Sequence, residues 1–180
     1  MNRGERTFAL KTAKSAVELF VKDGERLKPE NTPKPFGEKR GCFVTLTEGG
    51  KLRGCIGFPE PVLPLIEALV DAAMGACRDP RFPALDASEL PKIKIEISVL
   101  TRPKPVKPSE VKVGKDGLIV RRGFYSGLLL PQVAAEYGWS REEFLGQTCI
   151  KAGLPPNAWK GKGTEILAFQ AEVFSESKKS

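Results

Sequence analysis

The stretch Gly41-Cys42-Phe43-Val44-Thr45-Leu46-Thr47-Glu48-Gly49-Gly50-Lys51-Leu52-Arg53-Gly54-Cys55-Ile56-Gly57-Phe58 reads as a β-hairpin. Gly49-Gly50 supplies the two positive-φ positions of a tight primed turn. A two-residue loop sets Val44 opposite Cys55 and Leu46 opposite Arg53. Side chains alternate along a strand. Phe43, Leu52 and Ile56 are therefore expected on one apolar face. Arg53 and Cys55 are expected on the other, roughly 6–7 Å apart. A bulge at Gly54 would change this register, because glycine inside a strand marks a bulge or a close approach.

Before the hairpin, Leu10, Ala13, Val17, Phe20 and Val21 recur at helical spacing, which predicts a helix over about Glu5 to Val21, ended by Asp23-Gly24. Pro29, Pro33 and Pro35 make the following stretch an ordered connector. After the hairpin, Pro64 suits the first turn of a helix running to about Arg78. Only Glu67, Asp71 and Arg78 interrupt its apolar character, so it is expected to be mostly buried. Ile93, Ile95, Ile97 and Val99 alternate with Lys94, Glu96 and Ser98, a strand with one wet face.

Val111 and Val113 are expected to start a short strand that turns at Lys115-Asp116-Gly117 and returns through Leu118 to Arg121. Around Gly123 the chain turns into Leu128-Leu129-Leu130. Pro131 begins a short helix stopping at Gly138, and Ser140-Arg141-Glu142-Glu143 is a capping box for the next. A last strand is expected over Glu165 to Phe174, with Leu167, Phe169, Ala171 and Val173 on one face. A polar tail, Ser175 to Ser180, is expected to fray. Hairpins outnumber helical crossovers, so the fold class is α/β in the α+β sense, a mainly antiparallel sheet flanked by helices.

The chain of 180 residues suits one domain or two small subdomains. No stretch approaches the roughly 18 apolar residues of a membrane helix. Met1 to Arg6 run straight into the first amphipathic segment, so a cytoplasmic protein without membrane association is expected. The net charge of +7 favours solubility. Nucleic-acid binding would need basic residues clustered with aromatics, whereas Lys and Arg are spread along the chain, so that reading is disfavoured. Few Asn and Gln, with abundant Lys and Glu, lean toward a thermophilic source.

The sequence has no histidine, which removes Ser-His-Asp and Cys-His catalytic sets and histidine-ligated metals. Cys42, Cys55, Cys77 and Cys149 form no Cys-x-x-Cys pair, so no metal site and no cofactor is expected. In a cytosolic protein they stay reduced, with a structural disulfide as the exception that a hyperthermophilic archaeon would allow.

The chain resembles the AMMECR family, and in particular its archaeal and bacterial members of the AmmeMemoRadiSam protein A type. The matching pieces are Leu52-Arg53-Gly54-Cys55-Ile56-Gly57, Asp79-Pro80-Arg81-Phe82, Ile95-Glu96-Ile97-Ser98-Val99-Leu100, Gly114-Lys115-Asp116-Gly117-Leu118 and Gly127-Leu128-Leu129-Leu130-Pro131-Gln132-Val133. They cover about Phe36 to Phe174. The resemblance implies a single domain over 1–180 of two intimately packed subdomains sharing a cleft, the smaller over roughly 54–108. It marks the six-residue motif as the presumed functional centre. It also implies association with Memo-like and radical-SAM proteins, and it supplies no reaction.

Among candidate site residues, Cys55 comes first. A thiol is mostly protonated at neutral pH, and a nearby guanidinium such as Arg53 favours the thiolate. Free cysteine is commonly just a small core residue, but Gly54 and Gly57 leave this one with little cover. Glu96 is a candidate acid/base or ion-pair partner for Arg53, against the plainer reading of a solvated strand face. Asp79 and Arg81 pin a corner through local hydrogen bonds, with Arg81 also a candidate ligand or partner contact. Gln132, after a helix-initiating proline, is a candidate anion contact, against a plain helix start. Trp139 and Trp159 are expected in the core or at a subdomain interface, and Cys42, Cys77 and Cys149 are expected to be structural. Three readings follow: an enzyme or enzyme component with Cys55 as its thiol, a non-catalytic adaptor for a Memo-like or radical-SAM partner, and a nucleic-acid-associated regulatory protein.

Overall fold

The computed structural model describes residues 1–176. Along the chain run α1 (Arg3–Asp23), β1 (Cys42–Glu48), β2 (Lys51–Phe58), α2 (Leu65–Ala76), β3 (Ile93–Leu100), β4 (Lys104–Pro105), β5 (Gly117–Arg122), β6 (Tyr125–Leu129), α3 (Pro131–Glu136), α4 (Arg141–Lys151), β7 (Glu165–Phe169) and β8 (Ala171–Ser175), with short 3-10 turns between them. Two four-stranded sheets form, ordered β2-β1-β3-β8 and β4-β7-β5-β6. The β1–β2, β1–β3, β5–β6 and β5–β7 pairings are antiparallel. The expected antiparallel, helix-flanked class holds, with two sheets in place of one.

The chain divides into two compact units, one of residues 1–100 with 172 onward and the other of Thr101–Ala171. Residues 54–100 fall in the first unit, because β1 pairs with β2 on one side and β3 on the other.

In the first unit α1 starts on a capping box: the Asn2 side chain accepts the Glu5 N–H at 2.9 Å, and the Glu5 carboxylate accepts the Asn2 N–H at 2.8 Å. Gly24 ends the helix with φ 71°, a left-handed position that suits glycine. Ala9, Ala13, Ala16 and Val17 form its buried stripe, and α2 is buried over most of its length. Both helices pack on Val44, Leu46, Ile95 and Ile97. The proline-rich connector is ordered by Phe36, which is fully buried with its ring edge-on to Phe8 at 4.8 Å. On β3 the period of two holds, with Ile93, Ile95, Ile97 and Val99 buried and Lys94 and Glu96 exposed.

The hairpin turns at Gly49 and Gly50, φ 57° and 80°, as expected, but its register differs. Thr45 stands opposite Cys55, Val44 opposite Ile56 and Leu46 opposite Gly54, whereas Leu52 pairs with Thr47. Arg53 is thus the extra residue of a bulge. One unpaired residue reverses which side the preceding residues face. Leu52, expected to anchor the apolar face with Ile56, instead shares the Thr47–Thr45–Cys55 side and is 44% exposed. Gly54, Ile56 and Phe58 take the helix-facing side.

In the second unit Val111 and Val113 form no strand; β5 pairs with β6 and β7 instead. The single last strand becomes two. β7 belongs to the second sheet and β8 to the first, with the break at Gln170, whose N–H donates to the Thr101 hydroxyl while its carbonyl accepts the Thr101 N–H. Across the break the alternation changes: Phe169 is buried, Val173 exposed and Phe174 buried. Residues 177–180 of the expected tail lie outside the described residues. Among the described residues no helix is long and apolar enough to cross a membrane.

Candidate functional site

Cys55 sits on the edge strand β2 with its main chain bound to side chains outside the sheet. Its N–H donates to Asp79 Oδ2 at 2.9 Å, and its carbonyl accepts from Arg81 Nη2 at 3.3 Å. Both main-chain groups therefore point away from β1, so Thr45 and Cys55 form a non-hydrogen-bonded pair, the geometry that brings facing side chains closest. The Thr45 hydroxyl donates to Cys55 Sγ at 3.2 Å. On the other side of β1, Thr45 is opposite Glu96 and Phe43 opposite Ser98. Cys55, Thr45 and Glu96 thus lie in one row on the side of the sheet away from the helices. The outer two are about 10 Å apart at Cα, two interstrand steps.

Two glycines set the shape of this edge. A Cβ at Gly54 would run into the carbonyl oxygen of Ala76 at the end of α2, and a Cβ at Gly57 into the Phe43 ring. Gly54 thus lets α2 approach the strand, and Gly57 leaves room for Phe43 beside Cys55 on the same side. On the facing helix, a Cβ at Gly75 would stand 2.8 Å from Ile56 Cγ2.

Asp79 is the centre of the supporting network. It is 2% exposed, and its Oδ1 accepts both the main-chain N–H and the Nε–H of Arg81 at 3.0 Å, while Oδ2 accepts Arg81 Nη2 at 2.6 Å. The hydrogen bond from the Arg81 side chain, with those from the main chains of Cys55 and Arg81, holds the Asp79 carboxyl well below the usual carboxylate range. Arg81 is raised above its ordinary value, first by its bond to Asp79 and then by the charges of Asp79 and the Cys55 sulfur, which outweigh its loss of water. The corner expected at Asp79–Arg81 is present, and it also grips the Cys55 main chain.

Arg53, expected beside the thiol, commits its guanidinium elsewhere. Nε and Nη2 engage Glu89 at 2.7 and 3.0 Å, and Nη1 and Nη2 donate to the carbonyls of Pro83 and Ala84. The hydrogen bond from Arg53 holds the Glu89 carboxyl below its ordinary value. Glu89 also accepts the Asp86 N–H at 2.8 Å, completing a capping box. Sequence reasoning missed both Glu89 and Thr45. The Asp86-x-x-Glu89 spacing was the one available signal for the first, and nothing local marked the second.

The four thiols are free and differ in surroundings. Burial pushes Cys42 up to about 12 and Cys77 up to about 11, and it raises Cys149 as well. Cys55 alone is half-buried. Gln132, the second residue of the six-residue α3, is exposed in the second unit. Trp139 and Trp159 are partly buried there against its core. Among the described residues no group of three His, Cys, Asp or Glu side chains could hold a metal ion.

The chain is similar to a group of archaeal proteins. It is 50% identical over 182 residues to a protein of Thermococcus gammatolerans, covering 94% of this chain and 89% of the relative. It is 48% identical to Protein MJ0810 of Methanocaldococcus jannaschii, covering 96% and 90%. The crystal structure of the uncharacterized protein PH0010 from Pyrococcus horikoshii matches with a TM-score of 0.84 at 44% identity, over 98% of this chain and 94% of that one. The AMMECR1 family model matches residues 10–174. The chain therefore belongs to the AMMECR1 family.

Proposed function

We propose that Cys55 is the functional thiol of an enzyme or enzyme component and acts as a nucleophile or carrier on the Thr45–Cys55–Glu96 row. The observation that carries this reading is the 3.2 Å hydrogen bond from the Thr45 hydroxyl to a half-buried sulfur, while the three other thiols are buried. The hydroxyl bond orients the sulfur on the open side of the sheet, where it can meet a substrate. With no histidine in the chain, Glu96 on the same side is the acceptor for a proton released during reaction. The fixed main chain of Cys55 keeps the sulfur pre-oriented, as covalent catalysis requires.

The test is the rate of iodoacetamide alkylation of Cys55 in the folded protein against pH, beside a model thiol. The expected result is labelling at pH 7 at least about tenfold faster than a thiol of ordinary pKa, slowed in Thr45→Val. Labelling no faster than the model thiol overturns the nucleophile.

A second reading is that the motif docks a Memo-like or radical-SAM partner. It draws on Leu52, an apolar side chain of the motif itself that is 44% exposed. It expects co-purification that is lost in Leu52→Asp while the alkylation rate of Cys55 is unchanged. Retained co-purification counts against it.

A further inference from the structure

We propose that the groove between α4 and the turn Ala158–Lys160 binds a small organic ammonium ion. This site lies within the second unit and does not use the Cys55 row, so the proposal stands or falls independently of the reading above. The groove is open to the surface and offers about 350 Å³, a size suited to a small ligand. Glu142, Gly146 and Ile150 recur at intervals of four, so they line one face of α4. The floor is open because Gly146 has no side chain, and a Cβ there would stand 3.2 Å from the Pro156 carbonyl oxygen. Ile150, Pro156 and Trp159 supply apolar walls.

Lys160 identifies the ligand class. Its exposed ammonium sits over the Trp159 ring, Nζ 4.8 Å from the centroid. Trp159 and Lys160 both line the groove, and the ring already accepts an alkylammonium ion, the chain's own; an aromatic face attracts cations through the ring quadrupole. The carboxylates of Glu142 and Glu143 line the same groove and add charge complementarity. Bonds from the Ser140 main chain and side chain hold the Glu143 carboxyl below its ordinary value, so it is ionised at neutral pH.

The ring is also held in place. Arg122 Nη2 donates to the Ala158 carbonyl at 2.8 Å and Nε to the Thr164 hydroxyl at 2.8 Å, and that hydroxyl donates to the same carbonyl at 2.7 Å. A fixed turn lowers the ordering cost of binding. An incoming cation with an apolar body displaces Lys160 from the ring and fills the space beside Ile150 and Pro156.

The experiment is calorimetric titration of the full chain with choline and with its neutral carbon isostere, 3,3-dimethylbutan-1-ol. A parallel fluorescence titration uses Trp139→Phe, which leaves Trp159 as the only tryptophan. The expected result is saturable choline binding at least about tenfold tighter than the alcohol. Glu142→Gln should weaken it severalfold, and Lys160→Ala should tighten it, because the internal competitor is gone. Absence of saturable binding, equal binding of the alcohol, or weaker binding in Lys160→Ala overturns the proposal.

Discussion

The carboxylate of Asp79 accepts the main-chain N–H of Cys55 at 2.9 Å, across 24 positions of sequence. Edge strands expose unpaired main-chain groups that invite pairing with other chains. Asp79 and Arg81 cap both outward main-chain groups of Cys55, so the outer edge of β2 is closed to a further strand at the residue proposed for chemistry. The same two side chains fix which way the sulfur faces.

Removing the acid should therefore weaken the fold in a pH-dependent way. The folded pKa of Asp79 lies below its unfolded value of about 3.9. Its stabilisation is present above about pH 4 and is lost as pH falls through the folded value. Asp79→Asn should cost about 1–3 kcal/mol at pH 7, because Arg81 and the Cys55 N–H lose a charged acceptor. Urea titrations at several pH values check this: the gap between wild type and variant should be steady above about pH 4 and narrow progressively as pH falls below it. A constant difference at all pH values would reject the linkage.

Gly54→Ala should destabilise by about 1–3 kcal/mol, because the added methyl meets the Ala76 carbonyl, which belongs to a helix and cannot step aside cheaply. Gly37→Ala is the control. Nothing lies within 4 Å of a Cβ there, and the change should stay within about 0.5 kcal/mol. Equal denaturation midpoints for the two variants would contradict the close approach.

The Arg53–Glu89 pair should show coupling that a lysine cannot replace. Its two-pronged geometry matches a guanidinium and not an ammonium. The side chains are 15% and 22% exposed, so solvent screens the pair only partly. Arg53→Lys should cost about 1 kcal/mol, and a double-mutant cycle with Glu89→Gln should return a coupling of similar size. Strict additivity would show that the pair contributes nothing.

Alkylation should separate the four thiols. At pH 8 mass spectrometry should find label on Cys55 alone in the folded chain, with Cys42, Cys77 and Cys149 modified only after denaturation, because burial keeps their thiols protonated. Label on Cys42 at a rate comparable to Cys55 would contradict the packing of β1.

The sequence alone determined the elements whose causes are local. Gly49-Gly50 fixed a turn through positive φ, Ser140 and Glu143 fixed a helix start by bonding each other's main chain, and the alternation of β3 fixed its buried face. Resemblance in the Leu52–Gly57 motif located the candidate site. Tertiary structure decided what depends on distant partners. The bulge at Arg53 follows from pairing with β1, and the Glu89 contact lies 36 positions away. The break at Gln170 arises because the chain leaves one sheet for another, which five alternating residues on either side do not reveal. Thr45 came to face Cys55 because of the bulge at Arg53. A shift of one residue in register is nearly invisible locally, yet it turns every side chain to the opposite side of the sheet.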